Sequence, residues 1–390
     1  MDFDASGLHY LDNAATTYPK PPSVMQIAMQ FCATACVNPG RSTYDLALEA
    51  EGMLVRARRK LCSFFNGANP DRVVFGYNAT DALNLVIFGI LRRGGHVVST
   101  RLEHNSVLRP IAHCVEEQGA EATLVEFDGQ GYVDPDEIRR AIRPDTRLVL
   151  VNHGSNVIGT VQPVEQIGAV CREAGVVFCI DAAQTAGMVP IDMQRMNLDI
   201  VAFTGHKSLL GPMGIGGLCV GEGVVIPHSR AGGTGVDSAH RLHLEQYPFR
   251  LEYGTPNMMG IAGLVNGVQF IEDAGGVETV YRKEMELARI LWQGLRETDG
   301  VTLYRADSLE RRTPVFSFNI RGFDPAEAGT RLDVDFSVAC RTGLHCAPLV
   351  HETLGTTPSG TIRFSLGPLT RKGDILAAVE AVQALSAEKR

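Results

Sequence analysis

The feature that most constrains this chain is the alternation of short β-branched runs with longer amphipathic segments. Val73-Val74-Phe75, Val97-Val98-Ser99, Leu148-Val149-Leu150-Val151 and Val176-Val177-Phe178-Cys179-Ile180 read as buried strands. Between them, Ser106 to Gln118 and Val164 to Ala174 carry apolar residues at helical spacing. Thr80 is the predicted N-cap of a helix running through Leu91. Strand and helix alternating at this interval specify an α/β domain whose mostly parallel sheet is covered on both faces. Ligands of such sheets bind where the strands end.

The pattern changes after about residue 256. Helical stretches run from Pro256 to Gly275 and from Glu278 to Arg296, and a last one from Thr370 to Glu388. Thin strands at Val315-Phe316-Ser317-Phe318 and Thr361-Ile362-Arg363-Phe364 lie between them. This mixture predicts a second, smaller α+β domain.

Charge and composition narrow the function. A net charge of −8 argues against a nucleic-acid binder, and short basic stretches such as Arg56 to Lys60 read as a solvated helix face. No run of 18 apolar residues occurs, so no membrane span is expected. Met1 to Asp4 is acidic, unlike the start of a secretory signal. Nine scattered cysteines, an odd number, suit reduced thiols in the cytoplasm better than a disulfide framework.

The most informative segment is Phe203-Thr204-Gly205-His206-Lys207-Ser208, which follows the apolar run Asp199 to Phe203 and precedes Gly214-Ile215-Gly216-Gly217. A lysine at a strand end among small residues has room for a planar group, and burial would lower its pKa toward that of a Schiff-base nucleophile. Taken alone, a lysine in a turn is more often simply exposed. Asp181 ends another apolar run, where a carboxylate needs a cation; a pyridinium nitrogen suits it, and an N-cap role suits it equally. The sequence contains no P-loop, and its glycines at 211 to 217 do not form a dinucleotide fingerprint.

Seven segments, in order, resemble the cysteine desulfurases of the class V aminotransferase group. They are Tyr10 to Thr17 (YLDNAATT), Glu103 to Ser106 (EHNS), Ser155 to Thr160 (SNVIGT), Asp181 to Gln184 (DAAQ), Thr204 to Lys207 (TGHK), Gly254 to Asn257 (GTPN) and Arg341 to Pro348 (RTGLHCAP). The resemblance implies the pyridoxal-phosphate transferase fold (fold type I), with a large domain over 16–258 and a small one formed by 1–15 and 259–390. It implies that Lys207 carries pyridoxal phosphate, with Asp181 at the ring nitrogen, Gln184 at the ring hydroxyl and His104 over the ring. Thr80, Ala79, Thr204 and His206 would surround the phosphate, with Thr255 supplied by the second subunit of a homodimer. Asn156, Arg363, Arg341, Asn13 and Ala14 would surround the substrate, cysteine or an analogue, and an acceptor protein or thiol would take the sulfur. Ala79, Asn78 and Thr43-Tyr44 depart from the family pattern, as does Pro368 with the absence of an Asn-Thr pair near it.

Cys346 is the candidate nucleophile, in a loop expected to follow a strand from Val334 to Arg341, with Arg341 and His345 expected to favour its thiolate. Cys340 is the fallback. Cys171, Cys179 and Cys219 lie in apolar patterns, Cys62 and Cys114 lie on predicted helices, and Cys32 and Cys36, at i and i+4, are expected in the core. The compact loop resembles the branch that includes selenocysteine lyases. A selenocysteine lyase, a cysteine-sulfinate desulfinase, a plain aminotransferase and a silent scaffold are the competing readings.

Overall fold

A computed structural model of the protein describes residues 7–40 and 44–389. The expectations for Met1 to Asp4 and Thr43 lie outside them. Among the described residues thirteen strands run in chain order: β1 (His9–Tyr10), β2 (Val73–Gly76), β3 (Gly95–Thr100), β4 (Ala120–Val125), β5 (Thr146–Asn152), β6 (Val177–Asp181), β7 (Ile200–Thr204), β8 (Gly216–Val220), β9 (Val301–Leu303), β10 (Val315–Ile320), β11 (Val338–Ala339), β12 (Arg341–Gly343) and β13 (Thr361–Ser365). The helices are α1 (Pro22–Ala35), α2 (Asp45–Phe64), α3 (Ala79–Ile90), α4 (Asn105–Gln118), α5 (Pro135–Ala141), α6 (Val164–Ala174), α7 (Met258–Asp273), α8 (Val277–Glu297), α9 (Pro325–Phe336), α10 (Pro348–Leu354) and α11 (Lys372–Ala387).

Seven strands form the main sheet in the order β2-β8-β7-β6-β5-β3-β4. The β3, β4, β5, β6 and β7 pairings are parallel, and β8 and β2 close one edge antiparallel. Apolar clusters cover both faces, as the unbroken apolar runs require. The parallel strands carry Thr100, Asn152, Asp181 and Thr204 at their C-terminal ends, all on one edge of the sheet. A second sheet, β12-β13-β10-β9, is antiparallel and packs with α8, α9 and α11 around its own cluster. No helix among the described residues is long and apolar enough to cross a membrane.

Three expectations need correction. Asn78, not Thr80, caps α3: its Oδ1 accepts from the Asp81 amide at 2.9 Å, and Thr80 lies in the first turn. Val334 belongs to α9, and Ser337 in the left-handed region ends that helix, so only β11 and β12 precede the Cys346 loop. Cys32 and Cys36 are exposed, because α1 buries only Val24 and Ala28. Gly216 and Gly217 of the glycine-rich stretch, which the sequence left without an assignment, open strand β8. A Cβ on Gly217 would come within 2.0 Å of the Val74 carbonyl, so glycine permits a strand pairing that its composition obscures.

Gly360 tests the small sheet. It has φ +78°, and a Cβ there would meet the Gly343 carbonyl at 2.1 Å. Strained backbone and an unyielding backbone contact together make Gly360→Ala cost about 3 kcal/mol. Urea unfolding measures this, and a loss below about 1 kcal/mol would contradict the close approach.

Candidate active site

A cavity of about 230 Å³ opens at the C-terminal edge of the main sheet. Its wall brings together Ala14, Ala79, Thr80, His104, Asn156, Asp181, Gln184, Thr204, His206, Lys207, Arg341 and Arg363. Asn152, Ser106 and Ala183 also line it, and none of these three was assigned a role from sequence. Asn13, Thr255 and Cys346 are not in the wall, although Cys346 neighbours Arg341, which is. Asn13 spends its side chain on the backbone, donating to the Ser365 carbonyl at 3.0 Å and accepting from the Tyr18 amide at 3.3 Å. Thr255 is exposed beside a separate cavity that Tyr77, Asp81 and Tyr253 also line.

Lys207 lies three residues beyond β7, beside the strand that ends in Asp181. Burial lowers its pKa to about 8; Asp181 opposes this shift, while Arg363 and Arg341 add to it. Burial also raises the pKa of Asp181, against the Ala183 amide at 2.9 Å and the charge of Lys207. A carboxyl so placed is held ionised only by a neighbouring cation.

His104 caps α4. Its Nδ1 accepts from the Ser106 amide at 3.0 Å, so the ring proton sits on Nε2. Burial, followed by the charges of Lys207, Arg341, Arg363 and Arg109, lowers its pKa to about 4, which keeps it neutral. The Ser106 hydroxyl lies 2.8 Å from the same Nδ1 and 2.7 Å from the Thr80 hydroxyl. In that chain Thr80 donates to Ser106 and Ser106 to His104, leaving Thr80 no proton to offer a ligand.

Arg363 is buried at 1% exposure and already partnered. It donates to Asp12 at 2.7 Å and to the Asn156 carbonyl at 3.0 Å. Asp12, a member of the YLDNAATT segment given no role from sequence, is therefore its standing counter-ion. The amide of Asn156 donates to the His345 carbonyl at 2.7 Å, and the Asn105 amide donates to the Cys346 carbonyl at 2.7 Å. These bonds hold His345 and Cys346 in the left-handed region, with φ +47° and +59°. Such backbone is costly away from glycine and here aims the thiol.

The Cys346 thiol lies 3.7 Å from Arg341 Nη2, which supplies the expected positive neighbour. His345 does not. It is buried, with Nε2 3.1 Å from the Thr361 hydroxyl, and burial pulls its pKa down to about 2, so it remains neutral. Cys340 fails as the fallback, because burial pushes its thiol up to about 12.

The wall suits an anionic, aromatic aldehyde. Thr204 Oγ1 and His206 Nδ1 are buried without a hydrogen-bond partner, which leaves two polar atoms for a ligand. Asn78, Ala79 and Thr80 present the N-terminus of α3 to the same space, a position that favours phosphate. Lys207 offers an amine and Asp181 a carboxylate to a protonated ring nitrogen, as pyridoxal phosphate requires.

Comparison with known proteins fixes the class. The family model for class V aminotransferases matches residues 9–377. The chain belongs to that family of pyridoxal-phosphate enzymes and, within it, to the cysteine desulfurases. It is 35% identical to a probable cysteine desulfurase of Methanothermobacter thermautotrophicus, over 92% of this chain and 89% of the relative. It superposes on a cysteine desulfurase from Thermococcus onnurineus with a TM-score of 0.90 at 30% identity, covering 98% of this chain and 96% of the other. The cysteine desulfurase CsdA of Escherichia coli superposes with a TM-score of 0.88 at 27% identity, covering 99% and 97%.

Proposed function

We propose that this protein is a pyridoxal-phosphate-dependent cysteine desulfurase that converts L-cysteine to L-alanine and leaves the sulfur on Cys346 as a persulfide. The observation that carries the reading is the pairing of a desolvated Lys207 beside Asp181 with a thiol 3.7 Å from Arg341 of the same wall, on a loop that Asn105 and Asn156 fix by its backbone. Lys207 and Asp181 would hold the cofactor at its aldehyde and ring nitrogen, with Gln184 and His104 around the ring. Gln184 keeps its Oε1 for this, since its Nε2 is committed to the Ala14 carbonyl at 3.0 Å. Thr204, His206 and the N-terminus of α3 would take the phosphate. When bound, the cofactor supplies an electron sink for the substrate's α-carbon.

The chain's own groups do the rest. Arg363, its fork steadied by Asp12, receives the substrate carboxylate on its remaining protons. The neutral Lys207 amine removes the α-proton. The Cys346 thiolate, steadied by Arg341, forms a bond to the substrate sulfur as the carbon–sulfur bond breaks, and a returned proton completes alanine. The outer sulfur then passes to an acceptor protein or small thiol.

This reading extends to organisation. α7 packs Ile261, Leu264, Val268 and Ile271 into the core of the main sheet. A boundary at 258/259 would sever that contact, so we place the end of the large domain after α7. We propose a cytoplasmic homodimer in which Thr255 reaches the partner's phosphate. The exposed Met25 and Met29 of α1 and Leu46 and Leu48 of α2 support an interface.

Incubation with cysteine and a reductant, with alanine and sulfide measured together, tests the activity. Equal yields are expected, and alanine without sulfide would end the reading. The lysine makes a separate prediction. Only the neutral amine captures an aldehyde, and burial moves its titration down from 10.5 to about 8. The apoenzyme should therefore take up pyridoxal phosphate about tenfold faster per pH unit below 8 and level off above it. A limb centred near 10.5 in stopped-flow uptake would show the amine to be solvated.

A further inference from the structure

Lys20, at the end of the loop between β1 and α1, has no part in the scheme above. Its Nζ donates to the carbonyl of His206, the peptide group from which Lys207 begins. The same oxygen accepts from the Thr16 hydroxyl at 3.1 Å and from the Thr17 amide at 3.1 Å. A carbonyl oxygen has two lone pairs, so three donors saturate it and fix the plane of that peptide. One of the three carries a full charge, which makes it the strongest.

The placement of Lys20 is costly unless it serves something. The side chain is largely withdrawn from water, burial lowers its pKa to about 8, and no neighbouring carboxylate offsets the shift. Among the described residues it forms no ion pair within 4.0 Å. A half-buried ammonium resting on a backbone carbonyl is an unusual expense for loop closure alone. The loop itself is strapped to the other sides of the site. The Ala14 amide donates to the Ser365 hydroxyl at 2.9 Å, and the Ala14 carbonyl accepts from Gln184. Lys20 is thus the loop's charged tether to the turn that carries Lys207.

We propose that Lys20 is a positioning residue for Lys207: its ammonium, seated on the His206 carbonyl, holds the peptide from which the reactive amine projects. The proposal rests on the reading of Lys207 as the cofactor-bearing lysine. Its consequence is specific. Loss of the charge should slow reaction at Lys207 while substrate recognition, which lies with Arg363, stays intact.

The test compares apoenzymes of wild type, Lys20→Met and Lys20→Arg, following imine formation with pyridoxal phosphate by visible absorbance. Lys20→Met should capture the aldehyde roughly ten- to a hundredfold more slowly, the range set by one hydrogen bond to a charged group. Its kcat should fall in parallel while KM for cysteine stays within about twofold, and Lys20→Arg should recover most of the rate. Capture by Lys20→Met at the wild-type rate, or an Arg variant as slow as Met, overturns the proposal. If Lys20→Met does not fold, Thr16→Val removes another donor from the same oxygen and should slow capture by about threefold; no change there is equally fatal. Wild-type apoenzyme that forms no imine at Lys207 would instead defeat the cofactor reading itself, so the two failures are distinguishable.

Discussion

Lys207→Ala is expected to lower turnover of cysteine by at least about 10⁴-fold. A positioned general base contributes about 10²–10⁴ on its own, and here the same amine also anchors the cofactor. Neither function has a substitute nearby. His104 is neutral, with its Nδ1 committed to Ser106, and Lys20 is committed to the His206 carbonyl. The variant should still bind pyridoxal phosphate through Asp181, Thr204 and the α3 N-terminus, but only reversibly. Borohydride followed by peptide mapping separates the cases. Wild type should carry the reduced cofactor at position 207, and the variant should carry none. A label on another lysine of the wild-type protein would remove the basis of the mechanism.

The main sheet was legible because its strands are buried on both faces. Runs such as Leu148 to Val151 need no alternation to be read, and the helix from Val164 to Ala174 was delimited to the residue. Two strands escaped for opposite reasons. β4, AEATLV, lies at the sheet edge with Glu121 and Ala122 exposed, so it lacks the apolar run of an inner strand. β8 begins with two glycines that its close neighbours demand, and glycine reads as a loop. The end of α9, a helix not read from sequence, was taken into a strand from Val334 to Arg341 because Val334 and Phe336 look β-like, and only the left-handed Ser337 marks the break.

The site was legible where a residue's type fixes its use, as with a lysine and a carboxylate ending neighbouring strands. It was not legible where function depends on which atoms are already committed. Nothing in the local sequence tells that Asp12 occupies Arg363, that Ser106 claims the Nδ1 of His104, or that His345 is too deeply buried to be charged. The first is a contact 351 positions apart in the chain, the second turns on the cap geometry of α4 although its residues are neighbours, and the third depends on packing, none of which a local pattern encodes.

Cys346→Ser provides the sharpest division between this reading and its rivals. The hydroxyl keeps the shape of the loop and its bonds from Asn105 and Asn156, which are made to backbone atoms. It cannot take sulfur, because a neutral hydroxyl is far too weak a nucleophile toward the substrate sulfur to replace a thiol. Sulfide release from cysteine should therefore fall on the order of 10³-fold or more. Steps that precede the thiol should survive: the variant should bind cofactor with an unchanged visible spectrum and exchange the α-proton of cysteine with deuterated water at close to the wild-type rate. With selenocysteine the expectation differs, since selenium leaves carbon more readily than sulfur, and a substantial part of the activity should remain. If the variant keeps full activity on cysteine, the loop that Arg341, Asn105 and Asn156 hold in place serves some other end. If it loses α-proton exchange as well, Cys346 acts earlier than sulfur transfer, and the order of steps derived from the geometry is wrong.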